Sequence, residues 1–373
     1  MFILQHQDLD VLISALKSRG YRVVGPTLSD DTVVYDDLNS AADLPIGCTD
    51  DLERGHYRLR RSESGTYFGT TVGPHSWKKY LFPPRVKLFS IQKRGRVLEL
   101  EAEDPQQRPE QFAFFGVRPC ELAAIALQDK VFMGKNFADR TYTALRRGVF
   151  IVAVNCTRSG GTCFCDSMGT GPKAEDGFDL ALTEVEADGR HFFVVDVGTP
   201  RGTEVMNDVP RTKAGQSDIE LARKLVSKAK AGMKRSVTQE GLRQFIAGNL
   251  ESGYWDEVSR RCLLCANCTL VCPTCFCSTV EDTTDLSGEH AERWRRWDSC
   301  FTMEFAKVTG GNFRPSPRAR YRQWLTHKFS SWIDQFGVAG CVGCGRCITW
   351  CPVGIDITAE LEALRGHGAR AET

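Results

Sequence analysis

The sequence predicts an α+β protein, with an N-terminal α/β domain followed by a mainly helical domain. Short apolar segments that alternate with a few helix-like segments predict the first domain. A change to a polar, Pro- and Gly-containing stretch near residue 200, followed by helical periodicity, predicts the second. We therefore expect domains at residues 1–200 and 217–373, joined by a connector at 201–216.

The N-terminal part begins with a helix. Apolar residues at helical spacing predict a helix over 8–17, which Gly20 would end. β-branched and aromatic runs predict the strands, and a second helix is expected over 121–132. GVFIVAVNC (148–156) is apolar throughout, which indicates a strand buried on both faces. The remaining expected strands are 21–28, 31–38, 85–92, 96–102, 112–117 and 191–198.

Helices dominate the expected C-terminal part. Ser217 and Asp218 resemble an N-cap, so a helix is expected to start there. Shorter helices follow in 237–261, and ITAELEALRG (357–366) closes the fold.

One cysteine signature occurs twice in this C-terminal part. Both copies read C-x2-C-x2-C-x3-C-P, the spacing with which bacterial-type ferredoxins hold [4Fe–4S] clusters. In two-cluster ferredoxins the fourth cysteine of each run ligates the other cluster. This predicts a ferredoxin-like two-cluster domain, in which cluster 1 is held by Cys262, Cys265, Cys268 and Cys351, and cluster 2 by Cys341, Cys344, Cys347 and Cys272. Zinc knuckles fit this spacing poorly, and a disulfide framework would require a secreted chain.

Four more cysteines form a second group in the N-terminal half, namely Cys120, Cys156, Cys163 and Cys165. Glycines surround the last two, and glycine lets the backbone approach a cluster closely. One interpretation is a third [4Fe–4S] cluster. The alternatives are buried free cysteines, which behave as small apolar residues, or a glycine loop that cradles a flavin phosphate.

Other residues carry weaker signals. Cys275 and Cys277 could line a cluster but are expected to pack beside it, Cys300 is given no role, and Cys48 carries no signal. The basic stretch NFRPSPRARYRQWLTHKF (312–329) is interpreted as a face that balances cluster charge or docks an acidic partner. His75, Lys78 and Lys79 are expected to be structural or solvated. No dinucleotide or P-loop signature is present.

Composition narrows the functional class. Of 373 residues sixteen are cysteine, which in a reducing compartment indicates metal binding rather than disulfides. A net charge of +1 argues against a nucleic-acid partner. From the first twenty residues we expect no signal peptide, and no apolar run approaches the length of a membrane span. We expect a cytoplasmic protein without direct membrane insertion.

Several stretches together resemble one family. They are GVRPCELAAI, NCTRSGGTCFCDSMGTGP, CPTCFC and the segment from NFRPSPRARYRQWLTHKF to CVGCGRCITWCPVGIDI. They are similar to the iron–sulfur proteins that include the beta subunit of cytoplasmic sulfhydrogenases and the electron-relaying iron–sulfur subunit of anaerobic sulfite reductase. The resemblance covers the chain from about residue 60 onward.

The resemblance implies a relay of single electrons by a subunit that catalyses no reaction itself. Its partners would be a flavin/NAD(P)-binding subunit, which carries FAD and NAD(P), and the small and large subunits of a nickel–iron hydrogenase. The alternative is the same role beside a siroheme-containing sulfite reductase subunit. A less favoured alternative is a flavin-bearing catalytic subunit.

Overall fold

The computed structural model describes residues 1–102, 110–134 and 137–371. Its largest element is a mixed eight-stranded sheet with the order β12-β1-β11-β10-β9-β8-β2-β3. Its strands are β1 Phe2–Gln5, β2 Arg22–Ser29, β3 Thr32–Asp37, β8 Phe112–Val117, β9 Phe150–Val154, β10 Leu180–Ala187, β11 Arg190–Val197 and β12 Thr212–Lys213. The other strands are β4 Cys48–Glu53, β5 His56–Arg61, β6 Arg85–Arg94, β7 Val97–Ala102, β13 Ser278–Thr284, β14 His290–Trp297, β15 Lys307–Val308 and β16 Gly311–Asn312.

Helices cover both faces of the large sheet and form much of the C-terminal part. Those before residue 235 are α1 Leu9–Lys17, α2 Lys78–Leu81, α3 Pro119–Phe132, α4 Arg140–Arg147, α5 Pro200–Asn207 and α6 Gln216–Ala231. Those after it are α7 Leu242–Gly248, α8 Tyr254–Arg261, α9 Asn267–Leu270, α10 Pro317–Thr326, α11 Trp332–Phe336, α12 Arg346–Thr349 and α13 Ile357–Ala371. A π-helical turn, His327–Ser331, joins α10 to α11.

The centre of the large sheet is parallel and buried on both sides. β8 pairs in parallel with β2 and β9, and β9 with β10, while the outer pairs are antiparallel. Phe115 and Val152 face the core formed with α1 and α5, and Phe114 and Ile151 face the core formed with α3 and α4. This alternation explains why FAFFGV and FIVAV carry no polar side chain.

Strands from both halves of the sequence form a second sheet, with the order β13-β14-β6-β7. The hairpin β13–β14 lies between the two cysteine runs and pairs its second strand with β6. The expectation of a mainly helical cluster region is therefore met only in part. The hairpin was missed because its charged, exposed residues show no apolar alternation.

The stretch interpreted as a connector, 201–216, contains regular structure. It includes most of α5, and strand β12, which pairs with the edge strand β1. Helix α6 begins two residues earlier than an N-cap at Ser217 would place it, with Gly215 at its N-cap. In the part of the chain described, no helix is both long enough and apolar enough to cross a bilayer.

Candidate iron–sulfur centre

The first cysteine run and Cys351 come together around one cavity. Cys262, Cys265, Cys268 and Cys351 line it. Its other walls are almost wholly apolar and include Phe301, Tyr321 and Trp324, supplied by α10 and the segment before it. Cys347, expected in the second set, also borders this cavity, so the two sets are neighbours.

The second run and Cys272 form the neighbouring set. Burial raises the pKa of the Cys347 thiol well above its ordinary value, and Cys341, Cys344 and Cys272 add to the shift. Burial likewise raises the pKa of Cys341 to about 12, against the opposing charge of Lys328. The thiols of this set are therefore close enough to interact electrostatically, and Cys268 of the first set also contributes to the shift at Cys347.

The two runs share one backbone conformation. Leu264 and Ala266 in the first run have positive φ angles of 54° and 65°, and Gly343 and Gly345 in the second have 64° and 76°. In this conformation the N–H groups of Leu264 and Gly343 donate to Cys262 Sγ and Cys341 Sγ, each over 3.5 Å. The Ile355 N–H donates to Cys351 Sγ over 3.3 Å.

These features fit an iron–sulfur cluster. Thiolates are its ligands, and backbone N–H groups aimed at sulfur are the usual outer hydrogen bonds. Within the described residues, no three His, Cys, Asp or Glu side chains are grouped to hold a single metal ion. A cubane cluster imposes a different geometry, because each of its thiolates binds a separate iron.

The N-terminal cysteines converge at one edge of the large sheet. Cys120 follows β8 and opens α3, and Cys156 follows β9, so parallel pairing places both at the carboxyl ends of adjacent strands. The loop after Cys156 turns back on itself, because the Cys156 N–H donates to the Pro172 carbonyl over 3.0 Å. This loop brings Cys163 and Cys165 to the same place.

Close packing holds this third set together. A Cβ added to Gly171 would lie 3.0 Å from Cys165 Sγ and 3.7 Å from the Cys120 nitrogen. Burial raises the pKa of Cys163 to about 12, and neighbouring Cys156 adds to the shift. Cys120 and Cys165 pack against Cys344 of the second run in one buried cluster, so the third set adjoins the second.

The remaining cysteines do not line the first cavity. Cys275 is hydrogen-bonded through its thiol to Cys272, and Cys277 to Cys300. Cys48 is buried at the start of β4, and its thiol donates to the Ile46 carbonyl over 3.6 Å. Cys275 therefore lies beside the expected ligand Cys272, and the expectation that Cys275 and Cys277 pack beside a cluster stays a prediction.

Sequence reasoning missed a buried ion pair beside this centre. Arg346 Nη2 lies 2.7 Å from Glu121 Oε1, and neither side chain is more than 1% exposed. Burial of Arg346 explains this pairing, because an unpaired guanidinium at that depth would be costly. Tyr35 and Trp77 donate to the other oxygen of Glu121. The pair joins α12, next to Cys344 and Cys347, to α3, which begins beside Cys120.

The basic stretch is largely occupied by internal contacts. Arg320 is buried and donates to backbone carbonyls, and Arg318 and Arg322 pair with Glu251. Only Lys328 among its basic residues has a hydrogen bond to a cysteine in the described structure. Lys78, expected to be structural or solvated, is buried and donates to the Leu270 and Cys275 carbonyls.

Comparison with known proteins defines the class first. Residues 261–355 match the family model of a 4Fe-4S dicluster domain, so the C-terminal part of this chain is an iron–sulfur domain. The chain is also 33% identical over 349 residues to sulfhydrogenase 2 subunit beta of Pyrococcus furiosus, covering 92% of each chain. It belongs to the family of sulfhydrogenase beta subunits. No solved structure matches the chain.

Proposed function

We propose that this chain relays single electrons from a flavin/NAD(P)-binding subunit to the small and large subunits of a nickel–iron hydrogenase, or in the reverse direction. The observation that carries the proposal is the shared cavity of Cys262, Cys265, Cys268 and Cys351, next to the second cysteine set. Cys265 is the one exposed cysteine in a chain whose sixteen cysteines are all described. An exposed ligand is where electrons can pass to another protein.

We assign the two runs as the sequence predicts, and we include the third set as ligands. A [4Fe–4S] cluster supplies one-electron storage at each site. The chain's own part is to hold the ligand thiolates, to direct N–H groups at their sulfurs, and to exclude water with apolar walls. Cys344 adjoins both Cys120 and Cys165, so the three sets would form one row that ends at the exposed Cys265.

The choice of hydrogenase over sulfite reductase rests on the relative. The matching protein is a sulfhydrogenase subunit, and its coverage extends over nearly the whole chain. The chain itself shows no dinucleotide-binding signature, which favours NAD(P) and FAD on a partner. A relay subunit inside a soluble complex also agrees with the expected cytoplasmic location.

The relay can be tested with Cys268→Ala in the complete complex, purified anaerobically. Cys268 lies within electrostatic range of Cys262 and Cys351, so its loss should remove one cluster and interrupt the row. We expect NAD(P)-linked hydrogenase activity to fall at least about tenfold. Hydrogen-dependent reduction of an artificial dye by the catalytic partner should persist.

Cys48→Ala is the matched control, because Cys48 is also a buried cysteine but belongs to none of the three sets. Both activities should persist in this variant. An equal fall of dye-linked and NAD(P)-linked activity in Cys268→Ala would contradict the relay role.

A further inference from the structure

We infer that Lys328 raises the midpoint potential of the cluster held by Cys272 and the second cysteine run. The inference rests on the proposed function, because it requires that these four cysteines hold a cluster. Under this inference Lys328 adjusts the midpoint potential of the second cluster. The cluster of the first cysteine run has no comparable lysine beside it in the described structure.

The first observation is the position of the ammonium group. Lys328 is 2% exposed and lies in the π-helical turn between α10 and α11. Its Nζ donates to Cys272 Sγ over 3.2 Å, to Thr274 Oγ1 over 3.3 Å and to the Gly340 carbonyl over 3.1 Å. An ammonium group has three N–H donors, so these contacts use all of them and fix its orientation.

The second observation is that no acidic side chain balances this charge. Among the described residues, no carboxylate lies within salt-bridge distance of Lys328, whereas the equally buried Arg346 is paired with Glu121. Burying an ammonium without an anionic partner is energetically costly. A negatively charged sulfur ligand is the partner that this pocket offers.

The third observation is the contrast with the first cavity. Its lining contains apolar residues, cysteines and Tyr321, but no lysine or arginine. A second buried lysine, Lys78, also lies on the Cys272 side, where it donates to the Cys275 carbonyl rather than to a ligand sulfur. The two buried lysines therefore both lie on the side of the second cysteine set, near Cys272.

The physical consequence follows from charge. Reduction adds one electron to a cluster, and a fixed cation nearby stabilises the more negative state in a medium of low dielectric constant. Hydrogen bonds to ligand sulfurs act in the same direction and are a main determinant of cluster potentials. Lys328 supplies both effects to one ligand, Cys272.

The test is a redox titration of the full chain, purified anaerobically with its clusters and followed by electron paramagnetic resonance. In Lys328→Met, which keeps the bulk of the side chain but removes its charge, one midpoint potential should fall while the other stays unchanged. In Lys328→Arg, which keeps the charge, the fall should be smaller. The affected signal should be the one that Cys341→Ser also alters.

Lys79→Met is the matched control. Lys79 is a half-buried lysine in helix α2, and its Nζ donates to the Tyr35 carbonyl over 2.6 Å, away from the cysteines. Its removal should leave both potentials unchanged. Unchanged potentials in Lys328→Met with full iron content, or equal falls at both sites, would overturn the inference.

Two further outcomes are decided by the same experiment. If Lys328→Met loses iron, Lys328→Gln replaces it as the test, because glutamine keeps a polar group without the charge. One midpoint potential should again fall while the other stays unchanged. Two unchanged potentials in Lys328→Gln would overturn the inference. If the unaltered chain shows no pair of one-electron signals, the proposed electron-relay function is refuted. If it shows both signals but the Lys328 variants change neither midpoint potential, only the inference about Lys328 is refuted.

Discussion

His327 is a neutral, largely buried imidazole next to Lys328. Burial lowers its pKa to about 4, and the charges of Lys328 and Arg314 contribute to the shift, against a hydrogen bond with Gln335. The ring packs near Trp332, with ring centroids 5.1 Å apart. A histidine whose pKa falls on folding favours the folded state above its ordinary pKa and loses that contribution as the pH falls.

We therefore expect His327→Phe to reduce the acid sensitivity of the fold. The contribution is complete above about pH 6.5 and declines toward the folded pKa of about 4, by about 2 kcal/mol at pH 5. Melting temperatures measured at pH 7.5 and pH 5 should therefore differ less for this variant than for the unaltered chain. His290→Phe, which changes a half-buried histidine on β14, should show the unaltered difference.

The role of a single side chain could be predicted from the sequence only where the residue belongs to a motif with regular spacing. The eight ferredoxin-type cysteines could be recognised from their spacing, whereas their division between two clusters stays a prediction. Lys328 could not be separated from its basic neighbours, since only the π-helical turn directs it inward. Glu121 and Arg346 are far apart in sequence, so their pairing had no local signal.

At the scale of elements, the two cysteine loops differ in what surrounds them. The first run adopts its left-handed positions with Leu264 and Ala266, so glycine is not required by conformation alone. In the second run a Cβ on Gly345 would lie 2.4 Å from the Thr162 carbonyl oxygen. A Cβ on Gly343 would lie 2.7 Å from the Cys165 backbone. These glycines let two cysteine-bearing loops touch through their backbones.

We expect Gly345→Ala to separate these loops. Gly337→Ala is a matched control, because Gly337 has nearly the same φ (75° against 76°) and nothing within 4 Å of an added Cβ. Both variants carry the same conformational penalty, so the additional loss in Gly345→Ala, about 1–3 kcal/mol, reports the contact. Melting temperature and iron content would measure it, and equal losses in both variants would refute close contact.

Element predictions succeeded where periodicity was strong. The helix expected over 8–17 is α1, and the buried strand expected at 148–156 contains β9. The hairpin β13–β14 failed because much of its surface is exposed and charged, and its pairing with β6 depends on residues far away in the sequence. Long-range pairing of this kind leaves little trace in local sequence.

Over the whole molecule, three cysteine sets lie in sequence-distant segments that fold against each other. If all three hold clusters, iron analysis of the anaerobically purified chain should give about twelve irons. Cys165→Ser should reduce the count to about eight, whereas Cys48→Ser should leave it unchanged. About eight irons in the unaltered chain would show that the third set consists of free cysteines.

For the whole molecule, the order of the two regions could be predicted from the sequence, but the sheet that both regions share could not. An α/β sheet followed by a cluster region follows from composition and cysteine spacing. The second sheet could not be foreseen, because it takes β6 and β7 from one half and β13 and β14 from the other. The domain division at residues 200 and 217 therefore stays a prediction, and this sheet crosses it.

That shared sheet has a consequence for how the protein is made. Strand β6 ends at Arg94 and leaves the ribosome long before Trp297, which completes its partner β14, has been synthesised. Domains tend to fold as units from the N-terminus during translation. This chain must instead keep one edge of β6 unpaired until the hairpin has emerged. Cys351 is synthesised later still, so the first cavity cannot close before the final stage of biogenesis, and any cluster held there would be loaded at that stage.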